Sequence, residues 1–319
     1  MKNKFSIIIC GFNEERFLKR CLTSCISQNY PKDKYEIVYI DNNSRDRSLE
    51  IAKKFKNIKS FVEKRQGLSE ARNCGINKTN GEIIVFLDAD TKLDKNYLLK
   101  QERIFMNDKI GAGGGKVLPM KNKVISNYLG VSLFESYPRY IKNRFVRTYP
   151  GCNLTIRRKV INKIGIFKEN FEVGEVSIPR LEDKEICMRI RREGYLIQYN
   201  KEAIIYHKNR EKLNDLIKLW FRGAKSRRYM INNRSKDVFS QVFRYNLPLI
   251  YLLLICISLL INLKIAFVLI GTYLLGLYIL SIRSFIETNL IGSSILIKPF
   301  LDSLSMIIIN LGTLYYKIK

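Results

Sequence analysis

Proline and glycine are scarce, 7 and 18 of 319 residues, beside 46% hydrophobic and 27% charged residues. That composition excludes collagen-like, low-complexity and intrinsically disordered chains. No Cys-x-x-Cys pair occurs among the seven cysteines (Cys10, Cys21, Cys25, Cys74, Cys152, Cys187 and Cys256), so neither a zinc ribbon nor a disulfide framework is indicated. Odd in number and set mostly within apolar runs, they read as reduced thiols used as small core residues, which points to the cytosolic face. The only apolar run near the start, Phe5 to Cys10, is about half the length of a signal-peptide core. No internal repeat is present. Acid is also short, 29 Asp plus Glu against 56 Lys plus Arg, for a formal charge of +27. Such an excess ordinarily indicates nucleic acid or an anionic membrane surface as partner.

Hydropathy decides between these two. From Asn246 to Lys319 the only charged residues are Lys264, Arg283, Glu287, Lys298, Asp302, Lys317 and Lys319, a net +3 that leaves +24 on the first 245 residues. Leu247 to Leu263 and Ile265 to Ile282 are uncharged runs of 17 and 18 residues, roughly 25 and 27 Å long as helices, near the lower limit for crossing a bilayer. Only Lys264 separates them, which suggests a tight helical hairpin. Leu290 to Tyr316 is interrupted by Lys298, Pro299 and Asp302, with room for an interfacial segment and a crossing helix from about Phe300 to Tyr316. Lys212 to Arg244 carries nine Lys or Arg against Asp215 and Asp237, which by the positive-inside rule faces the cytoplasm. The expected partners are therefore membrane lipids and not nucleic acid, and the expected location is the cell membrane, with the soluble part cytoplasmic. The length suits two units, a soluble domain over 1–210 and a membrane region of two or three helices over 246–319, with a basic juxtamembrane region over 211–245 between them.

Strands and helices alternate through the soluble part. Phe5 to Cys10 has the continuous apolar character of a buried parallel strand. Glu14 to Gln28 repeats apolar residues at i, i+4 and reads as a helix, with Asn13 as its cap. Tyr35 to Ile40 is a second strand ending in Asp41, and Ser44 caps a helix through Phe55. Lys59 to Glu63 is a strand, Leu68 to Lys78 a helix, and Ile83 to Leu87 a fourth strand ending in Asp88-Ala89-Asp90. This order predicts an α/β fold with a doubly wound, mostly parallel sheet, whose ligands bind at the carboxyl ends of the strands. Asn13, Asp41, Asp88 and Asp90 all stand at such ends.

These residues also carry a family resemblance. Ser6-Ile7-Ile8-Ile9 with Asn13-Glu14, the Asp41-Asn42-Asn43-Ser44-Arg45-Asp46 loop, Gly67 to Gly75 and Phe86-Leu87-Asp88-Ala89-Asp90 resemble, in order, the nucleotide half of the family 2 glycosyltransferases. Gly151-Cys152-Asn153-Leu154, Ile164 to Phe167, and Glu182-Asp183 followed by Arg189 and Gly194 resemble their acceptor half. The match runs from about Lys4 to His207 and implies a GT-A fold, with the nucleotide-sugar half over about 1–117 and the acceptor half over 118–210. Two departures stand out. Cys10-Gly11-Phe12 replaces the frequent Pro-Thr-Tyr, and the Gln-x-x-Arg-Trp motif of processive synthases is missing, which favours transfer of a single sugar over polymerisation.

A nucleotide sugar leaves as a diphosphate, so a divalent cation or cationic side chains must take up the developing charge. Asp-x-Asp at a strand end aims two hard oxygen ligands the same way, which suits Mg2+ or Mn2+. The resemblance implies that Asp90 ligates the metal, that Asp88 sits by the ribose at the edge of that site, and that Asp41 accepts a hydrogen bond from the base. Arg72 can meet the nucleotide with its fork of donors. Asn13, Glu14, Asp41, Arg72 and Asp88 are thus the candidate nucleotide-sugar residues. The sole histidine, His207, is either structural or completes the metal or diphosphate site. Gly111 to Val117 fails as a phosphate loop, because Ile110 and Val117 stand where glycine and Ser or Thr are required; it reads as a closely packed strand. An acceptor hydroxyl needs a base placed across the sugar from the diphosphate. The resemblance places it at Asp183, with Glu182 as runner-up. The expected activity is inverting transfer from a nucleotide sugar, a UDP-sugar by default, to a membrane-associated glycan or lipid-linked acceptor. The rivals are a non-catalytic glycan-binding scaffold and a sugar-nucleotide pyrophosphorylase, whose glycine-rich, arginine-containing opening loop is absent here.

Overall fold

Strand β1 (Phe5–Gly11) is buried along its whole length, and its side chains divide between two cores. Phe5, Ile7 and Ile9 join one hydrophobic cluster, and Ile8 and Cys10 the other. A strand covered on both faces has no polar side to show, which is why its sequence lacks alternation. In the computed structural model, residues 3–121, 123–129, 145–169, 172–173, 176–177, 182–232, 238–288, 297–298, 300–305 and 307–309 are described. They divide into two units: Met1–Lys121 with Phe134–Glu172 and Arg180–Asn209, and Asn122–Leu133 with Val173–Pro179 and Arg210–Lys319.

The first unit continues with α1 (Glu15–Ile26), β2 (Tyr35–Asp41), α2 (Ser48–Lys53), β3 (Lys59–Val62), α3 (Leu68–Asn77), β4 (Ile83–Asp88), β5 (Thr91–Leu93), α4 (Tyr97–Ile104) and β6 (Ile110–Pro119). After α5 (Val124–Leu129), which belongs to the second unit, come β7 (Asn153–Arg157) and α6 (Arg158–Ile164). The short β8 (Glu172–Val173) and β9 (Val176–Ser177) lie outside the main sheet, and α7 (Glu182–Arg192) and β10 (Leu196–His207) complete the unit. The main sheet runs β3-β2-β1-β4-β7-β6-β10-β5. It is parallel between β3, β2, β1 and β4 and between β6 and β10, while β7 is antiparallel to both its neighbours and β5 is antiparallel to β10. The sheet is therefore mixed, four parallel pairings against three antiparallel, where the sequence pattern predicted mostly parallel strands. The alternating polar and apolar residues of β7, Asn153 to Arg157, carry no mark of its direction.

The first core takes Leu18 and Leu22 of α1 and Leu98 of α4; the second takes Ile76 of α3, Ile161 of α6, and Ile186 and Ile190 of α7. Helices on both faces thus exclude water from the sheet. Each such aliphatic side chain stabilises the fold by about 1.5–3 kcal/mol relative to exposure. The glycine run is part of strand β6, as its sequence predicts, and its neighbours show why glycine is needed. A Cβ on Gly115 would lie 1.9 Å from the Ala203 carbonyl oxygen, and one on Gly114 2.1 Å from the Tyr149 ring.

Two expected caps are corrected. Asn13 does not cap α1, whose flanking residue is Glu14 with no side-chain cap bond, and Ser44 does not cap α2, which begins four residues later. Asn13 sits in the left-handed region at φ 58°, which asparagine tolerates better than most residues. Its Oδ1 accepts from the Arg45 N–H at 2.8 Å, and its N–H donates to Ser44 Oγ at 3.0 Å. Both side chains tie the loop after β1 to the loop after β2.

In the second unit, Tyr128 and Leu129 of α5 pack with Leu216, Leu219 and Trp220 of α8 (Leu213–Asn232). Helices α9 (Val238–Ile261) and α10 (Leu263–Thr288) are joined through Asn262 alone. Tyr251 and Tyr273, equidistant from that turn, lie ring to ring at 5.6 Å, so the expected tight hairpin is present. Among the described residues no helix is long and apolar enough to cross a membrane; side chains are described from 250 in α9 and up to 276, with 278 and 279, in α10. Of the stretch from Leu290 to Tyr316, only 297–298, 300–305 and 307–309 are described; the expected crossing up to Tyr316 lies largely outside the described residues.

Candidate functional site

The carboxyl ends of β1, β2 and β4 open into a cleft of about 370 Å3, lined among others by Gly11, Phe12, Glu14, Asn42, Asp88 and Asp90. Register puts these groups together: Gly11 pairs with Asp41 on one side of β1, and Cys10 pairs with Asp88 on the other. Asp41 is buried, with Oδ1 accepting from the Tyr39 hydroxyl at 3.1 Å and Oδ2 from the Ser44 N–H at 2.9 Å. Asn42 braces the opposite wall: its Nδ2 donates to the carbonyls of Glu63 and Arg65, and its Oδ1 accepts from the Gly67 N–H.

At the end of β4 the charge balance is unfavourable. Burial pushes the Glu14 carboxyl up to about 7, with Asp90 and Asp88 adding to the shift. Burial also raises Asp90, with His207 opposing and Asp88 adding. Asp88 Oδ1 and Asp90 Oδ1 are buried and accept no hydrogen bond from the described residues. Their charged neighbours, Arg72 Nη2 at 3.6 Å and His207 Nε2 at 3.5 Å, stand at ion-pair range only. His207 Nδ1 lies 2.9 Å from Asn209 Oδ1. Nε2 is thus the ring nitrogen that faces the Asp90 carboxylate. Two buried carboxylate oxygens without hydrogen bonds, beside an imidazole nitrogen, fit a bound cation.

Among the described residues, one set of three ligand types converges: a carboxylate oxygen of Asp88, a ring nitrogen of His207 and Cys152 Sγ, all within 4.8 Å of one another. The sequence motifs mark the turn that holds Cys152 but give its thiol no role, because 64 residues separate it from Asp88 and 55 from His207.

Arg72, expected to meet the nucleotide, is instead 2% exposed and lies over the Phe167 ring at 5.3 Å. Burial works against its charge, but Glu182 and then Asp88 outweigh it and hold the guanidinium above its usual value. Its Nη1 reaches Glu182 Oε1 at 3.2 Å. Glu182 is therefore engaged at the start of α7, while its neighbour Asp183 accepts from the Gly151 N–H at 3.2 Å and from its own following N–H, Lys184, at 2.7 Å. Burial, reinforced by Glu182, pushes Asp183 up to about 6, against the pull of Lys184 and Arg72. A half-buried carboxyl that loses its proton near neutrality is suited to general-base work. Gly151-Cys152 thus links the two halves of the site: one residue holds Asp183, the next reaches Asp88 and His207.

Residues 6–165 match the family model described as glycosyl transferase family 2. The chain is 28% identical over 228 residues to the glycosyltransferase AglE of Haloferax volcanii, covering 69% of this chain and 71% of that one. It is 25% identical over 306 residues to a Methanococcus voltae dolichyl N-acetyl-alpha-D-glucosaminyl phosphate 3-beta-D-2,3-diacetamido-2,3-dideoxy-beta-D-glucuronosyltransferase, covering 90% and 89%. In fold it is similar to the mannosyltransferase PcManGT from Pyrobaculum calidifontis, solved with GDP-Man and Mn2+, at TM-score 0.70 and 16% identity over 99% of this chain and 88% of that one. With its GT-A-type sheet and a matching segment that spans half its length, the chain belongs to glycosyl transferase family 2.

Proposed function

We propose that this protein transfers a single sugar from a nucleotide sugar, a UDP-sugar by default, to a hydroxyl of a membrane-associated glycan or lipid-linked acceptor, with inversion at the anomeric carbon. The observation that carries the reading is the pair of buried carboxylate oxygens, Asp88 Oδ1 and Asp90 Oδ1, left without hydrogen bonds at the rim of the cleft. Asp90, Asp88 and His207 would hold a divalent cation, Mg2+ or Mn2+, which when bound neutralises charge developing on the departing diphosphate. Asp41 and Asn13 shape the pocket for the nucleoside, and Phe12 offers it an exposed ring. Arg72 holds Asp88 in place from beneath. Asp183 takes the acceptor's proton as the new bond forms, oriented by the Gly151 N–H. Glu182, the other candidate base, has one oxygen committed to Arg72.

The membrane part of the reading rests on α9 and α10. They expose large apolar side chains, among them Leu253 (60%), Leu260 (89%), Phe267 (67%) and Val268 (65%), which suit an apolar partner better than water. The basic segment before them suits anionic headgroups on the cytoplasmic side. The name of the Methanococcus voltae relative, which covers 90% of this chain, describes transfer to a dolichyl-linked sugar phosphate and supports a lipid-linked acceptor.

The test is a panel of nucleotide sugars offered to the detergent-solubilised full chain with Mg2+ or Mn2+ and a lipid-linked glycan extract. One donor should give nucleoside diphosphate and a glycosylated lipid whose anomeric configuration is opposite to the donor's. Absence of diphosphate and product from every donor would overturn the reading; retained configuration would overturn its inverting step.

A further inference from the structure

Cys152 is chemically out of place among hard oxygen ligands. It is 6% exposed, in the turn just before β7, and burial, with Asp88 and Asp90 adding, holds its thiol well above the ordinary value. A buried neutral thiol is normally a small apolar filler, as Cys21, Cys25 and Cys187 are in this chain. Cys152 differs in what surrounds it. Its Sγ lies within 4.8 Å of both an Asp88 oxygen and a His207 ring nitrogen, which themselves approach within the same limit. Asp88 Oδ1 has no hydrogen-bond partner among the described residues. Adjacent S, N and O ligand atoms on a tetrahedral zinc lie roughly 3.3–3.5 Å apart, given metal–ligand lengths of about 2.0–2.3 Å, so a contraction of the cluster would bring all three onto one ion.

We propose that Cys152 is a conditional ligand of the cation site: it stays a neutral thiol beside Mg2+ and becomes a thiolate ligand of a thiophilic cation of the Zn2+ class. The inference rests on the cation reading given above and adds to it the class of metal the site selects. Hard Mg2+ takes oxygen and keeps its waters, so it has little use for sulfur. Zn2+ binds S, N and O donors together and deprotonates a coordinating thiol outright. As the S–Zn bond forms, the S–H bond breaks and its proton leaves to solvent. Binding thus adds two charges of metal and removes one thiol proton, a net gain of one positive charge beside the acids Asp88 and Asp90. With Asp90, the remaining ligand of the cation reading, the protein set is four, so a diphosphate oxygen or water would enter as a fifth ligand or in place of Asp90.

Co2+ is the probe, titrated into the full chain in detergent with UDP present. Visible d–d bands report any bound cobalt, and a near-ultraviolet sulfur-to-cobalt charge-transfer band reports a thiolate ligand. The wild type should show both. Cys152→Ser, and Cys152→Ala as a variant that keeps the site apolar, should retain the visible bands and lose the charge-transfer band. In parallel competition titrations the preference for Zn2+ over Mg2+ should fall at least tenfold in both. Visible bands without charge transfer in the wild type would overturn the thiol's role and leave the cation site standing, as would a charge-transfer band that persists in both variants. No visible bands in the wild type would overturn this inference and the cation site together.

Discussion

Arg72 Nη1 lies 3.2 Å from Glu182 Oε1, with Nη2 3.6 Å from Asp88 Oδ1, so a single buried guanidinium spans the residue that ends β4 and the residue that begins α7. Both Arg72 and Glu182 are nearly inaccessible, at 2% and 7%. Removing one member leaves the other as an unpaired buried charge. Arg72→Leu should therefore cost about 3–5 kcal/mol of stability, and the double variant with Glu182→Leu should recover much of it. Denaturant unfolding of Arg72→Leu, Glu182→Leu and the double variant checks this, and an Arg72→Leu protein as stable as wild type would show that the pair does not hold the two elements together.

Asp183 should govern the pH dependence of transfer. Its carboxyl is pushed up to about 6, and a base works only when deprotonated. The rate should thus rise about tenfold per pH unit below 6 and level off above it. Asp183→Asn should lower transfer by about 10²–10⁴ and abolish that limb, while nucleotide-sugar affinity persists. Glu182→Gln should keep the limb. Rate–pH profiles of the three proteins decide the matter, and wild-type transfer by Asp183→Asn would place the base elsewhere.

At the end of β4, Asp90→Ala should abolish metal-dependent nucleotide binding, since the cation loses an anionic ligand and the diphosphate its neutralisation. His207→Ala should weaken it less, because a neutral ligand is lost and not a charge. Calorimetric titration of UDP with and without Mn2+ measures both. Unchanged metal dependence in Asp90→Ala would remove that residue from the site.

A Cβ on Gly151 would lie 2.3 Å from Arg72 Nη2, so the turn or the buried, ion-paired guanidinium must move. Gly151→Ala should displace the turn, withdraw its N–H from Asp183, and lower kcat more than it raises KM for the nucleotide sugar. Equal effects on the two would mean that the turn serves donor binding and not the base.

The apolar surface of α9 and α10 predicts that the full chain floats with liposomes and leaves them only with detergent. Anionic lipid should strengthen the association, and salt should weaken the anionic contribution, as expected for a basic juxtamembrane segment. Recovery of monodisperse full-length protein in detergent-free buffer would overturn the membrane proposal.

The sequence alone determined the run of elements from Phe5 to Asp88 and the strand-end positions of Asp41, Asp88 and Asp90, because periodicity and turn residues act over a few neighbours. It also determined the helical hairpin, with its break set at Lys264, two residues from the turn at Asn262, and its motifs carried the family. It did not determine the direction of β7, since strand polarity depends on which edge is free when the strand arrives. Nor did it reveal that Asn13 and Ser44 tie two loops together in place of capping helices. A short polar side chain bonds to whichever backbone group lies nearest, and here that group is 31 or 32 residues away. Only tertiary structure turned Arg72 inward against Glu182, 110 residues on, and set Cys152 beside Asp88 and His207. Those relationships arise from sheet register and helix packing, which join residues that no local pattern connects.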